Sequence, residues 1–149
     1  MTRTASLYDV PRKAVWDAHA PYVEGAFDAL VCFCVGSPLS ADARNALVKS
    51  AQAIGYGNNQ MAFISVDSLD PADVQTLIEA IDPLCVVATD TSATRVLSQA
   101  YHAPLHLGIK DYVAGRPCCC FEQLNDVVSD VTSKQKTWRL LKSTLAFFS

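Results

Sequence analysis

Short apolar runs alternate with amphipathic stretches along this chain, and the two periods predict most of its elements. Residues 28–35 read DALVCFCV, a nearly unbroken apolar run that predicts a strand covered on both faces. Residues 61–66 (MAFISV) and 84–88 (LCVVA) predict two more. Between these runs the apolar positions recur at helical spacing. Leu47, Val48, Ala51 and Ile54 make one stripe, opened by Ser40 as a cap with Asp42 in the first turn and closed by Gly55. Val74, Leu77, Ile78 and Ile81 make another, opened by Asp70-Pro71-Ala72-Asp73: a cap, a proline at the first position, then an acid. Thr89 or Asp90 caps a third helix that runs to about Tyr101. Val10-Pro11 starts a short helix bearing Val15 and Trp16, which Pro21 stops. Ser133 is expected to cap a last helix ending near Phe147. Residues 104–107 and 117–121 are expected as short strands, and 127–131 as a loop or one helical turn.

Buried strands alternating with helices of about a dozen residues predict an α/β fold. The expected architecture is a three-layer α/β/α sandwich around a mostly parallel sheet of four or five strands. At 149 residues the chain is expected to form one domain, with residues 1–27 as a helical segment packed on it. In such sheets ligands bind beyond the carboxyl ends of the strands. That rule selects a cleft formed by Gly36, Ser37, Pro38, Asp67, Ser68, Thr89, Asp90, Thr91, Phe121 and Gln123.

Half of the residues are apolar and 18% are charged, enough apolar content for a substantial core. The net charge of −3 opposes a nucleic-acid surface spread over the whole chain and leaves room only for a local basic face. No apolar run approaches a membrane span, and the N-terminus lacks the pattern of a secretory signal, so no membrane partner and a cytoplasmic location are expected. Six cysteines have no C-x-x-C spacing. Cys32 and Cys34 should share one face of a strand, whereas Cys118, Cys119 and Cys120 must alternate and cannot converge on one ion. Small buried thiols are the favoured reading, an iron–sulfur or zinc site the alternative; no metal or other cofactor is expected.

The candidate chemistry is sparse. Gly36-Ser37-Pro38 at a strand-to-helix junction could present N–H groups to an anion, but Pro38 removes a donor and a plain turn explains it. Asp67, Asp90 and Glu122 are the candidate acids, since each falls at a strand end; helix capping accounts equally well for Asp90. His19, His102 and His106 show neither triad nor metal spacing. On the last helix Lys136, Arg139 and Lys142 line one side and Trp138, Leu141 and Leu145 another. A solvated face over a core stripe is the plain reading; a phosphate-contacting or partner-facing helix is the functional one. Phe147 and Phe148 would add an apolar patch suited to a protein partner or self-association if exposed.

Several of these segments resemble the uracil-DNA glycosylase-like superfamily. In residues 81–97, Pro83, Val86, Val87, Ala88, Ala93 and Leu97 match that family's pattern of a proline-led approach, an apolar strand and an Ala-rich helix. Lys134, Trp138 and Leu141 match its closing Lys-x-x-x-Trp-x-x-Leu. Val35-Gly36-Ser37-Pro38 stands where the family has Val-Gly-Glu followed by Pro-Gly, and the helix after it ends in a similar Ile-Gly. The terminal aromatic helix is also similar to that of the clamp-loader psi subunit, a catalytically silent relative of the fold.

The resemblance implies the fold and departs where the chemistry should be. A glycosylase must extrude a base, hold its edge and activate water or stabilise a sugar cation. Ser37 replaces the family's first acid, Ile64-Ser65-Val66 stands in place of its Ile-Thr-Asn, and Asp90 replaces its turn glycine. The histidine loop expected near 121–125 reads FEQLN. The cluster cysteines have no counterparts at matching spacing. The expected function is a non-catalytic binding or assembly module linked to DNA metabolism, with nucleic acid or a nucleotide as a further possible ligand. The alternative is a divergent nucleobase glycosylase or related hydrolase.

Overall fold

The computed structural model describes residues 9–127 and 130–146. In chain order the elements are α1 (Asp9–Ala18), β1 (Val23–Gly25), β2 (Val31–Val35), α2 (Ala41–Ile54), β3 (Met61–Ser65), α3 (Pro71–Ile81), β4 (Cys85–Ala88), α4 (Thr91–Tyr101), β5 (Lys110–Val113), β6 (Arg116–Cys120), α5 (Leu124–Val127) and α6 (Val131–Leu145). Single 3-10 turns at Ala20–Tyr22 and Asn58–Gln60 lead into β1 and β3. None of the described helices is long and apolar enough to cross a membrane.

The sheet runs β1-β3-β2-β4-β6-β5. Its centre, β3-β2-β4-β6, is parallel, and β1 and β5 pair antiparallel at the two edges. The central strands are those the apolar runs predict, and every residue of β2 and β4 is buried. Six strands, against the four or five expected, reflect the edges. β1 is only Val-Glu-Gly, too short to show a period, and β5 (Lys-Asp-Tyr-Val) is half solvated and therefore largely polar. Residues 104–107 form no strand; Leu107 makes one isolated bridge to Cys120, and pairing begins only at Lys110, beyond Pro104 and Gly108.

Helices cover both faces. On one, α3 and α4 bring Val74, Leu77, Ile78, Ala93 and Leu97 onto Cys32, Cys34, Ile64, Val86, Cys118 and Cys120, and Val15 and Trp16 of α1 close the side. On the other, α2, α5 and α6 bring Ala43, Leu47, Ala51, Leu124, Leu141 and Leu145 onto Phe33, Phe63, Cys85, Val87 and Cys119. The cysteines therefore divide by strand parity, as the alternation requires. Arg12 latches α1 in place by donating to the carbonyls of Ala80 and Ile81 at the end of α3, each at 2.6 Å.

The helix ends follow local chemistry. Ser40 Oγ accepts from Ala43 N at 3.1 Å, and Gly55 ends α2 at φ 120°, where a side chain is strained. Asp70 caps α3 without a side-chain bond, so the pinned φ of Pro71 carries that start. Asp90, not Thr89, caps α4. Asp130 caps α6 by accepting from Ser133 N and Oγ, so the helix opens before Ser133, the expected cap. Of residues 127–131, Val127 ends the short helix α5 and Val131 begins α6. Helix α6 stops at Leu145, and Phe147 and Phe148 lie outside the described residues.

Candidate functional site

The chain leaves β2 for α2 on one face, then returns across the sheet to β4 by way of α3 on the other. A doubly wound sheet opens its crevice where this reversal occurs, between the carboxyl ends of β2 and β4. The loops there are 36–39 and 89–91, which hold Gly36, Ser37, Pro38, Thr89, Asp90 and Thr91 of the cleft residues read from the sequence; Asp67 and Ser68 follow β3, and Phe121 and Gln123 follow β6.

The crevice is bridged from within. Asp90 is 3% exposed, and its carboxylate accepts two backbone N–H bonds: Ser37 N at 2.6 Å on Oδ2 and Ala93 N at 2.8 Å on Oδ1. One bond caps α4 and the other ties the loop after β2 to the loop after β4. Gly36 permits this approach. A Cβ there would lie well inside contact distance of Asp90 Oδ1 and 2.9 Å from both Asp90 Oδ2 and Ser92 Cβ. The glycine at this strand end thus makes room for a carboxylate of the chain itself, where in a phosphate-binding turn it would make room for a ligand.

The remaining loops are stitched in the same way. Thr91 donates from N (3.0 Å) and Oγ1 (3.1 Å) to the carbonyl of Glu122, and Asp90 forms an isolated antiparallel bridge with Gln123. Asn125 Oδ1 accepts from Ser40 N at 2.8 Å, and Asn125 Nδ2 donates to Pro38 O at 3.1 Å. Ser92 Oγ donates to Asp67 Oδ1 at 2.6 Å. Thr89 is buried and hydrogen-bonds the carbonyl of Cys34, while Phe121 is buried in the core beside Leu124. Glu122 and Ser68 are exposed.

Of the three candidate acids, then, Asp90 sits at the centre and is engaged by backbone donors. Asp67 lies on the outer side of the α4 start and is held by a serine. Glu122 faces solvent. No histidine joins them: His106 lies before the far edge strand β5, 3.1 Å from Asp111, and His19 bonds the carbonyl of Val15 within the N-terminal segment. Among the described residues no group of three or more His, Cys, Asp or Glu is arranged to hold a metal ion.

Open space lies beside the crevice. A hollow of about 260 Å³ sits toward β1, lined by Tyr22, Val35, Leu39, Arg44, Phe63 and Ser65 among others. Arg44 stacks over the Phe63 ring, 4.0 Å from its centroid, and pairs with Glu24. A larger hollow, about 630 Å³, opens at the opposite end of the sheet between α1 and the turn before β2, beside Trp16, Phe27 and Asp28. Neither hollow is legible in the pattern of residues along the chain. Phe63 belongs to an apolar strand and Arg44 to a half-buried helix position, and the short edge strand β1 adds Glu24 beside them.

The basic residues of α6 are where the helical period places them. Lys134, Lys136, Arg139 and Lys142 are exposed, Trp138 is 37% exposed, and Leu141 and Leu145 are buried. Tyr56 Oη donates to Leu145 O at 2.7 Å and anchors the last turn of the helix to the segment after α2. No protein-family model matches this chain, and no curated protein matches it in sequence.

Proposed function

We propose that the protein is a non-catalytic binding or assembly module on a uracil-DNA glycosylase-like scaffold, associated with DNA metabolism. The observation that carries this reading is the double engagement of Asp90. It is the most buried of the candidate acids at the switch point, and its two oxygens are taken by Ser37 N and Ala93 N. A catalytic carboxylate has to reach water or substrate in a productive geometry. This one holds two loops at a fixed distance. The parallel centre of the sheet is compatible with the glycosylase-like frame, and the residues quoted for the resemblance fall at the end of β2 and its loop, at the end of α2, in and just before β4, and in α4 and α6.

The replaced motifs support the same reading. Ser37 offers its backbone N–H to Asp90, and the segment after β6 supplies a carbonyl to Thr91 where the family carries its histidine loop. The competing reading, a divergent nucleobase glycosylase or related hydrolase, would use Asp67, Asp90 and Glu122 as its acids; with Asp90 engaged, it relies on the exposed Asp67 and Glu122.

Incubation with uracil-containing single-stranded DNA separates the two. The expected result is no abasic-site formation above background. Cleavage that depends on protein concentration and disappears in Asp67→Asn or Glu122→Gln would establish the enzyme reading instead.

A further inference from the structure

Charge on this molecule is unevenly distributed. Of the 12 Lys and Arg residues, four (Lys134, Lys136, Arg139 and Lys142) lie on α6, which carries no Asp or Glu, in a chain whose net charge is −3. All four are exposed. They run along about 12 Å of helix axis, from Lys134 to Lys142. The acid at the helix start, Asp130, is hydrogen-bonded to Ser133, and its carboxyl is held below the usual range first by that side-chain bond and then by the Ser133 N–H.

An indole stands at the border of this basic face, next to the buried stripe of Leu141 and Leu145. Trp138 is one helical turn from both Lys134 and Lys142, and 37% of its surface is open. Its neighbours Leu141 and Leu145 are fully engaged in the core, so the helix has no second apolar face to insert into a lipid surface. Cations that track a backbone, combined with an aromatic ring that offers a stacking face, are the two features by which proteins hold unpaired nucleic acid strands. A duplex offers cations its phosphates but presents no free base face to the indole.

We propose that the exposed face of α6 binds the sugar–phosphate backbone of single-stranded nucleic acid, with Trp138 stacked on a base. This deepens the reading of the chain as a binding module and rests on it for its context. Lys134 and Lys142 flank the stacked base, and Arg139 continues the line of phosphate contacts beside Lys142, with Lys136 farther round the helix.

The test uses the full chain with Trp16→Phe, which leaves Trp138 as the only indole. Titration with an oligothymidylate of about 15 nucleotides should quench the indole fluorescence and saturate. With three to four phosphates neutralised, log K should fall with log salt at a slope of about −2 to −3. Arg139→Glu combined with Lys142→Glu should weaken binding about tenfold or more while leaving the circular dichroism unchanged. Anisotropy of a labelled oligothymidylate with the Trp16-containing protein gives an independent readout of the same binding. Absence of binding at low ionic strength overturns the proposal, as does binding that the double charge reversal leaves intact. Equal affinity for polyglutamate or for vesicles of anionic lipid also overturns it, because the face would then be a general anion or membrane surface. Failure here leaves the abasic-site result standing, and abasic-site formation would leave α6 binding standing, so the two readings fail separately.

Discussion

At the scale of single residues, Asp90 and Gly36 form one device. A buried carboxylate with two backbone donors loses both bonds when truncated, and the two N–H groups are left without partners. Asp90→Ala is therefore expected to lower stability by about 2–4 kcal/mol, combining a lost cap with a stranded loop. Gly36→Ala should cost about 1–3 kcal/mol through overpacking against Asp90, and the two substitutions should be less than additive because they break the same contact. Urea denaturation of the two single variants and the double variant checks this; full additivity would mean that Gly36 matters for some other reason. Half of this device was legible in the sequence. The capping role of Asp90 follows from its place before a helical stripe. Its second bond spans 53 residues to Ser37, and no local pattern encodes a partner so distant.

At the scale of elements, Arg116 joins the start of β6 to the end of α3. Its side chain is 12% exposed and donates to Glu79, to Asp82 at 2.8 Å and to the carbonyl of Pro83 at 3.0 Å. Hydrogen bonds from Arg116 hold the Glu79 carboxyl below the usual range against a smaller opposing effect of burial. A folded-state value below the unfolded one gives a stabilisation that is complete above the unfolded value, about 4.3, and is lost as pH falls through the lower folded value. Glu79 is 47% exposed, so solvent screening keeps that contribution below about 1 kcal/mol. Arg116→Met is expected to flatten the acid limb of stability below about pH 4.3 relative to the unsubstituted protein; urea midpoints measured across the acid range would reveal an unchanged limb if the pairing were inconsequential.

The elements themselves divide by how they announce themselves. β2, β3 and β4 are buried on both faces and read as plain apolar runs. The edge strands are not, because solvent on one side removes the pattern that marks a strand. The start of α6 was misplaced for a related reason: Asp130 and Ser133 both have capping chemistry, and only their mutual bond assigns the cap to one and the first turn to the other.

At the scale of the whole molecule, the sheet buries every cysteine. All six are 0% exposed, split between the two core layers. Burial pushes the thiols of Cys85 and Cys119 up to about 12. Thiolate is the reactive form, so at these two both access and ionisation oppose modification, and burial denies a reagent access to the other four. An aromatic disulfide reagent is expected to label none of the six in the native protein within the time it labels all six in denaturant, with native labelling following the rate of opening of the sheet. Rapid labelling of any thiol would place that strand outside the packed core. The alternation in the sequence foretold which cysteines share a face. The bridging of the crevice was not foretold, because it depends on side chains that reach across loops set together only by the strand order.

Arg12 finds its acceptors 68 and 69 residues further along. Synthesis runs toward the carboxyl end, so α1 emerges before these acceptors exist and must wait until α3 has been synthesised and coiled. A helix made earlier is thus secured only by one made later. During that interval the half-apolar surface of Val15 and Trp16 is open to whatever escorts nascent chains.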